Sequence, residues 1–455
     1  MGSTPGLGVQ RGRPLAGAFT PPGDKSITHR ALVFGLLADG VTRVHGANRG
    51  EDCARSATCG EALGAQGKRT PGGWELHGTA GTLRAPHADL KCGNSGTTMR
   101  LLAGVVAAFP AAGASRSFTA RLTGDASLSH RPMRRIAEPL ERMGARVEGR
   151  GERCTPPLTV TGGALRGIDY DAPMASAQVA TCVLLAGLAA SGETSVTLPG
   201  PARDHTERLL PLFGVAVERS ELNGGGRTVR VSGGATLRAA DVRIPGDLSS
   251  AAFLFAAAAA EPGSRVTAHD VNLNPTRTAF LDVLREMGAH VTVERAREES
   301  GEPVGDVTVE GPERLAAFDV PADWVPRMLD EVPAWVVVAS AATGTSRLSG
   351  AAELRVKESD RLSALARGLG VLGVTCAERP DGLAVTGGVP RGHGRIETQL
   401  DHRIAMAFAA IGCRTREPVW LDDVSHVATS FPGYFDTLAS LGAGVVSVPR
   451  GRGGP

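Results

Sequence analysis

A chain of 455 residues can bury a large core and divides most simply into two or more domains. Its formal charge of +2 and the lack of any Lys/Arg-rich run argue against a nucleic-acid partner. Residues 251–260, the longest apolar run, are too few to span a bilayer and Met1–Pro5 lack an apolar signal core, so a cytoplasmic protein is expected.

Seven scattered cysteines with no Cys-x-x-Cys pair suggest neither a disulfide framework nor a zinc site, but reduced structural thiols. Of the 49 basic residues only Lys25, Lys68, Lys91 and Lys357 are lysine. An ammonium can give up a proton where a guanidinium effectively cannot, so a retained Lys is a candidate for chemistry. Lys68 lies in a polar stretch that reads as a surface turn, whereas Lys25 and Lys357 sit inside motifs.

In chain order, the first motif is Pro22-Gly23-Asp24-Lys25-Ser26-Ile27-Thr28-His29-Arg30, which runs into an Ala/Leu-rich segment. Gly, then N-cap types, then an apolar run spells a helix N-terminus, whose free N–H groups and dipole favour an anion. Alone it reads as a capped helix with two solvated cations, but the pattern repeats. It returns at Gly93-Asn94-Ser95-Gly96-Thr97-Thr98, Pro173 to Gln178, Gly246-Asp247-Leu248-Ser249-Ser250, Asp330-Glu331-Val332-Pro333 and Asp401-His402-Arg403. After each cap, a second helix ends in Gly before a β-branched run, at Gly64, Gly144, Gly214, Gly288, Gly373 and Gly442.

Successive caps stand about 70 to 85 residues apart, too far for a solenoid of roughly 20–50 residues per repeat. Each unit reads as a small α/β layer, and six of them make two three-unit domains with a boundary near 241–246. Residues 22–243 form the first domain; residues 1–21 with 244–455 form the second. The segment before Pro21 reads as an arm and the tail after Pro449 as disordered. If three caps of each domain converge on an interdomain cleft, that cleft attracts anions.

Leu354 to Leu362 reads as the opening of a helix, with Lys357, Glu358 and Arg361 on one face. A surface ion-pair ladder would look the same, yet a Lys beside a Glu near an anion site also suits proton transfer. Asp330 and Glu331 read as carboxylate caps of the apolar run after them. Arg100, Arg131 and Arg403 are singly unremarkable, and His402 caps a helix or orients a ligand. No dinucleotide or nucleotide-triphosphate fingerprint and no nucleophile elbow is present.

Together, Pro22 to Arg30, Gly93 to Arg100, Leu122-Thr123-Gly124-Asp125 with Arg131-Pro132-Met133, Arg355 to Arg361 and Asp401 to Met406 resemble the 5-enolpyruvylshikimate-3-phosphate synthase family. The resemblance implies an α/β fold of two domains, each of three βαβαββ repeats in an inside-out barrel-like arrangement, joined by two crossover strands. It implies enolpyruvyl transfer from phosphoenolpyruvate to the 5-hydroxyl of shikimate 3-phosphate by addition and elimination, by a monomer without cofactor or metal, on small molecules only.

By the same resemblance, phosphoenolpyruvate meets Lys25, Gly96, Arg131, Gln178, Arg361 and Arg403. Shikimate 3-phosphate meets Lys25, Ser26, Arg30, Ser176, Gln178, Arg203, Asp330 and Lys357, with Asn94, Arg100 and His402 in support. The catalytic candidates are Glu358 as proton donor to the methylene, Asp330 at the hydroxyl and Lys25 at the bridging oxygen. Gly96 implies inhibition by glyphosate in competition with phosphoenolpyruvate.

Thr429 stands where many relatives carry Lys, so one cation of the phosphoenolpyruvate set is missing or is supplied from elsewhere. The region 125–130 lacks the Cys of the sister family that uses a nucleotide sugar. Two other readings are a paralogue acting on another sugar-phosphate or nucleotide acceptor and a phosphometabolite-binding relative without catalysis. The retained Ser26, Arg30, Ser176, Gln178, Asp330 and Lys357 argue against the first; intact Lys25, Asp330 and Glu358 argue against the second.

Overall fold

The computed structural model describes residues 6–113 and 118–447, which fall into two compact units. The first takes Gly23–Pro245 with Glu298–Glu302, and the second takes the rest. In the first, Asp24 donates its N–H to the Pro245 carbonyl at 2.7 Å; in the second, Asp247 donates to Pro22 at 2.8 Å. Each contact joins the start of a cap helix to a Pro-Gly-Asp sequence, a repeat finer than the general cap pattern.

Three four-stranded sheets build the first unit. In each, a short strand pairs in parallel with the next, which pairs antiparallel with a hairpin. Asp169–Asp171 runs parallel to Glu193–Leu198 with Tyr170 opposite Val196, and Glu193–Leu198 runs antiparallel to Arg227–Ser232, which takes Glu218–Glu221 at its far edge. The first sheet borrows its parallel strand, Asp241–Arg243, from the end of the unit, placing Val242 opposite Val44. In the other two sheets a cap helix, Gly96–Ala108 or Ala177–Ala189, bridges the parallel pair, whereas helix Lys25–Leu37 leads into Val41–His45 of the first.

These helices lack a polar face and are buried nearly all round, as apolar-everywhere helices must be. Two of them approach closely at Gly104, where a Cβ would stand 2.4 Å from the Cys182 carbonyl oxygen. The second helices, such as Arg134–Met143, are amphipathic and bury one stripe.

The second unit repeats the plan with buried helices Leu248–Ala259, Val332–Ala341 and His402–Gly412. Its middle sheet has three strands because the parallel partner shrinks to one bridge, Ala316 with Thr343. All six glycines that close the second helices adopt positive φ, from 71° at Gly373 to 129° at Gly442. Among the described residues no helix is long and apolar enough to cross a membrane.

Several local expectations need correcting. The segment before Pro21 is no arm: Leu7–Gln10 and Ala16–Phe19 are strands of two second-unit sheets. Leu7–Gln10 lies antiparallel between Val419–Leu421 and Gly444–Ser447, so the chain's beginning completes a sheet made by its end. Lys68 is on an edge strand, Gln66–Thr70, rather than in a turn. Asp330 and Glu331 form a 3-10 turn and make no side-chain cap; Pro333 in the first turn sets up the helix instead. Ser176 also makes no side-chain cap. The tail after Pro449 lies outside the described residues.

Candidate active site

In the first unit, Asp24 accepts the Ile27 N–H at 2.9 Å and starts the helix that presents Lys25, Ser26 and Arg30. Lys25 Nζ lies 3.1 Å from Asp52 Oδ2. Arg30 is 2% exposed; its Nε donates to Thr206 Oγ1 at 2.7 Å, Nη2 to Thr181 Oγ1 at 2.8 Å and Nη1 to the Ser26 carbonyl at 3.0 Å. Burial lowers its pKa to about 10, against the opposing pull of Glu207, so it stays charged at neutral pH. Arg203 Nη1 donates to Ser26 Oγ at 3.1 Å, joining two residues 177 apart in sequence.

The second cap is Ser95, which accepts the Thr98 N–H at 3.1 Å and aligns helix Gly96–Ala108. Two guanidinium groups crowd Gly96: a Cβ there would lie 2.9 Å from Arg100 Nη1 and 3.4 Å from Arg131 Nη1. Arg131 is fixed by Asn94 Oδ1 at 2.6 Å and Ser127 Oγ at 3.1 Å, and Asn94 in turn donates to Asp125 at 2.9 Å. Gln178, on the third cap helix, accepts from Arg100 Nη1 at 2.6 Å and donates to Thr97 Oγ1 at 2.8 Å. The three helix N-termini thus share hydrogen bonds among the residues expected at the anion sites.

In the second unit, the buried guanidinium of Arg361 organises the acids. Its Nε donates to Asp401 Oδ2 at 2.8 Å, its Nη2 to Glu358 Oε2 at 2.6 Å, and its Nη1 lies 3.6 Å from Asp330 Oδ1. Asp401 also accepts from Ser359 Oγ at 3.0 Å and caps the next helix by taking the Arg403 N–H at 2.9 Å. Arg403 Nη1 reaches back to the Asp330 carbonyl at 2.8 Å. Asp330, Glu358, Arg361 and Arg403 therefore form one cluster, and His402 is buried beside it on the helix it shares with Arg403.

Lys357 and Glu358 do not ride the helix, which begins at Arg361 with Asp360 as its cap. Asp360 accepts the Ser363 N–H at 3.1 Å, so the turn before it, not helical spacing, carries the Lys-Glu pair. Lys357 is turned away onto Glu353 at 2.9 Å. Thr429 uses its hydroxyl locally, donating to the His426 carbonyl at 2.7 Å, and supplies no charge.

Sequence reasoning missed Asp401 as a hub, Thr181 and Thr206 as acceptors for Arg30, and Asp52 as partner of Lys25. Asp401 was visible as a helix cap, but its bond to Arg361 needed the fold. A buried chain of hydroxyls was also missed. His29 Nδ1 lies 2.8 Å from Ser56 Oγ, Ser56 Oγ lies 2.8 Å from Thr98 Oγ1, and Thr98 Oγ1 donates to the cap Ser95 at 2.7 Å.

Burial, then the charges of Lys25 and Arg30, hold the His29 pKa well below 6.5. A depressed pKa gives stability that is whole above about 6.5 and declines as pH falls toward the folded value, since the unfolded chain then binds the extra proton. Thermal unfolding from pH 7 to 5 is expected to include a slope of up to about 1.4 kcal/mol per pH unit from this one group. His29→Asn removes that share of the slope; an unchanged slope contradicts the assignment.

The EPSP synthase (3-phosphoshikimate 1-carboxyvinyltransferase) family model matches residues 9–438. The chain is 46% identical over 450 residues to the 3-phosphoshikimate 1-carboxyvinyltransferase of Alkalilimnicola ehrlichii, with 97% of this chain and 96% of that one covered. It is 50% identical over 440 residues to the protein so named in Xanthomonas campestris pv. campestris strain B100, with 96% of each covered. A solved EPSP synthase of Acinetobacter baumannii superposes with a TM-score of 0.84 at 43% identity, covering 97% of this chain and all of that one. With the shared fold and a match running almost end to end, the chain belongs to the EPSP synthase family.

Proposed function

We infer that this chain transfers the enolpyruvyl group of phosphoenolpyruvate to the 5-hydroxyl of shikimate 3-phosphate and releases phosphate, a step of aromatic biosynthesis. The reaction adds the hydroxyl O–H across the C2=C3 bond of phosphoenolpyruvate, giving a tetrahedral intermediate with a new methyl group. Loss of phosphate from C2 and of one proton from the methyl group restores the double bond in the product. A proton must therefore reach C3 and leave it again, another must leave the hydroxyl, and the departing bridging oxygen must be neutralised.

One observation carries the assignment of roles: Glu358 and Asp330 pair with the same buried guanidinium, Arg361. Glu358 is the proton carrier to and from C3, and Asp330 takes the hydroxyl proton. Phosphoenolpyruvate brings its own anionic groups to Arg361 and competes with Glu358 for it; a carboxylate freed from that pair can take up the proton it must deliver. Lys25 protonates the bridging oxygen.

Arg131, Arg403, Gln178 and the Gly96 backbone N–H clamp the phosphate and carboxylate of phosphoenolpyruvate, with Asn94, Arg100 and His402 in support. Ser26, Arg30, Ser176, Gln178, Arg203 and Lys357 hold the acceptor, with Asp330 at its hydroxyl and Lys25 within reach of both substrates. The exchange between Arg203 and Ser26 supports the phosphate end of that set. Lys357 must leave Glu353 to join it.

Seven free cysteines, six of them buried, support a reducing cytoplasmic setting, and we take the chain to act there as a monomer. The reading is tested by phosphate release on mixing the folded protein with both substrates, repeated with glyphosate. Turnover that glyphosate inhibits in competition with phosphoenolpyruvate is expected. A folded protein without turnover contradicts the proposed reaction, and turnover insensitive to glyphosate removes the role given to Gly96.

A further inference from the structure

Helix Glu51–Ala62 carries none of the residues assigned above, yet its first turns are bonded to two of the cap helices. The Asp52 carbonyl lies 3.4 Å from Thr98 Oγ1. One turn later, Ser56 Oγ meets both His29 Nδ1 and Thr98 Oγ1 at 2.8 Å. Cys53 Sγ also donates to the Lys25 carbonyl at 3.8 Å. Through these side-chain and carbonyl contacts the first turns of the helix are tied to Gly96–Ala108 on one side and to Lys25–Leu37 on the other.

Held this way, the Asp52 carboxylate points at one functional group. Its Oδ2 lies 3.1 Å from Lys25 Nζ, and the two side chains are only 11% and 15% exposed. A lysine stem carries about 2 kcal/mol of rotamer entropy, and an exposed pair would hold it weakly. A withdrawn carboxylate on a pinned helix instead fixes where the ammonium sits before any substrate arrives, which is the kind of placement that proton delivery to a leaving oxygen requires.

Resting on the proton role proposed for Lys25, we infer that Asp52 is a positioning residue that holds the Lys25 ammonium in place for the bridging oxygen of phosphoenolpyruvate. Asp52 acts through Lys25 and contacts no reacting atom. Its removal therefore costs only what Lys25 supplies, and costs nothing further once Lys25 is gone. A merely structural role for Asp52 would add its loss to any other.

The test is a double-mutant cycle on the full chain with both substrates, with phosphate release followed over hours so that each slow corner is measured. Lys25→Met is expected to lower kcat about 10²–10⁴-fold, as for loss of a general acid. Asp52→Asn is expected to lower kcat about 10- to 100-fold with KM values within about 3-fold, and the double variant to be no more than about 3-fold slower than Lys25→Met alone.

Losses that multiply, or a wild-type kcat in Asp52→Asn, overturn the positioning role and leave the proposed reaction standing. A wild-type kcat in Lys25→Met removes the proton role of Lys25 and the inference with it. If Asp52→Asn melts below the wild type, the cycle is run with Asp52→Glu, which keeps the charge but moves the carboxylate by one methylene. The same non-additivity is expected there, and multiplying losses again overturn the inference.

Discussion

Replacing Arg361 with Met is expected to lower the unfolding free energy by about 3–5 kcal/mol, the cost of leaving a buried ion cluster without its central partner. The side chain is 1% exposed and faces Asp401 at 2.8 Å, Glu358 at 2.6 Å and Asp330 at 3.6 Å. Burial alone would depress its pKa, but Asp401 and then Glu358 outweigh burial and raise it above its usual value. The guanidinium is therefore charged at every accessible pH, and its contribution does not fade as pH rises.

Met fills the volume but leaves three carboxylates facing one another, so kcat falls with stability. Arg361→Lys recovers only part of either, because an ammonium cannot offer a planar fork to acceptors on several sides. Denaturant unfolding checks the first effect; a Met variant as stable as the wild type contradicts the role of Arg361 as hub.

Glu358→Gln separates chemistry from that scaffold. Gln keeps an oxygen to accept from Arg361 Nη2, so the fold and both KM values are expected to hold within small factors. What it cannot do is carry a proton to C3, and kcat is expected to fall about 10²–10⁴-fold. Steady-state phosphate release with matched melting curves decides it: a Gln variant that turns over like the wild type means that C3 is protonated by another group.

Much of the architecture was readable because each repeat is marked at both ends by residues with a single local job. Asp24, Ser95, Asp247 and Asp401 each accept a backbone N–H at the start of a buried helix. Gly64, Gly144, Gly214, Gly288, Gly373 and Gly442 each close a second helix in left-handed backbone, where a side chain is strained. Such signals are local in the chain and survive without tertiary knowledge.

What stayed hidden depends on distant partners. Leu7–Gln10 has too short and Gly-broken a pattern to announce a strand, and it becomes one only because Val419–Leu421 and Gly444–Ser447 offer both edges. Helical spacing placed Lys357, Glu358 and Arg361 on one face, but Asp360 competes as a cap and starts the helix at Arg361, four residues after Lys357. The Asp52 to Lys25 pair spans 27 residues and the Arg361 to Asp401 pair spans 40, so neither spacing carries any periodic signal.

The identity of the acceptor is tested by phosphate release from phosphoenolpyruvate with shikimate 3-phosphate, unphosphorylated shikimate and a UDP-sugar compared side by side. Turnover with shikimate 3-phosphate and a loss of kcat/KM of at least about 10²-fold without the 3-phosphate are predicted, since Arg203, bonded to Ser26, is proposed to hold that group by charge-assisted bonds. Faster turnover of the UDP-sugar, or equal turnover of shikimate with and without its phosphate, rules out shikimate 3-phosphate as the acceptor.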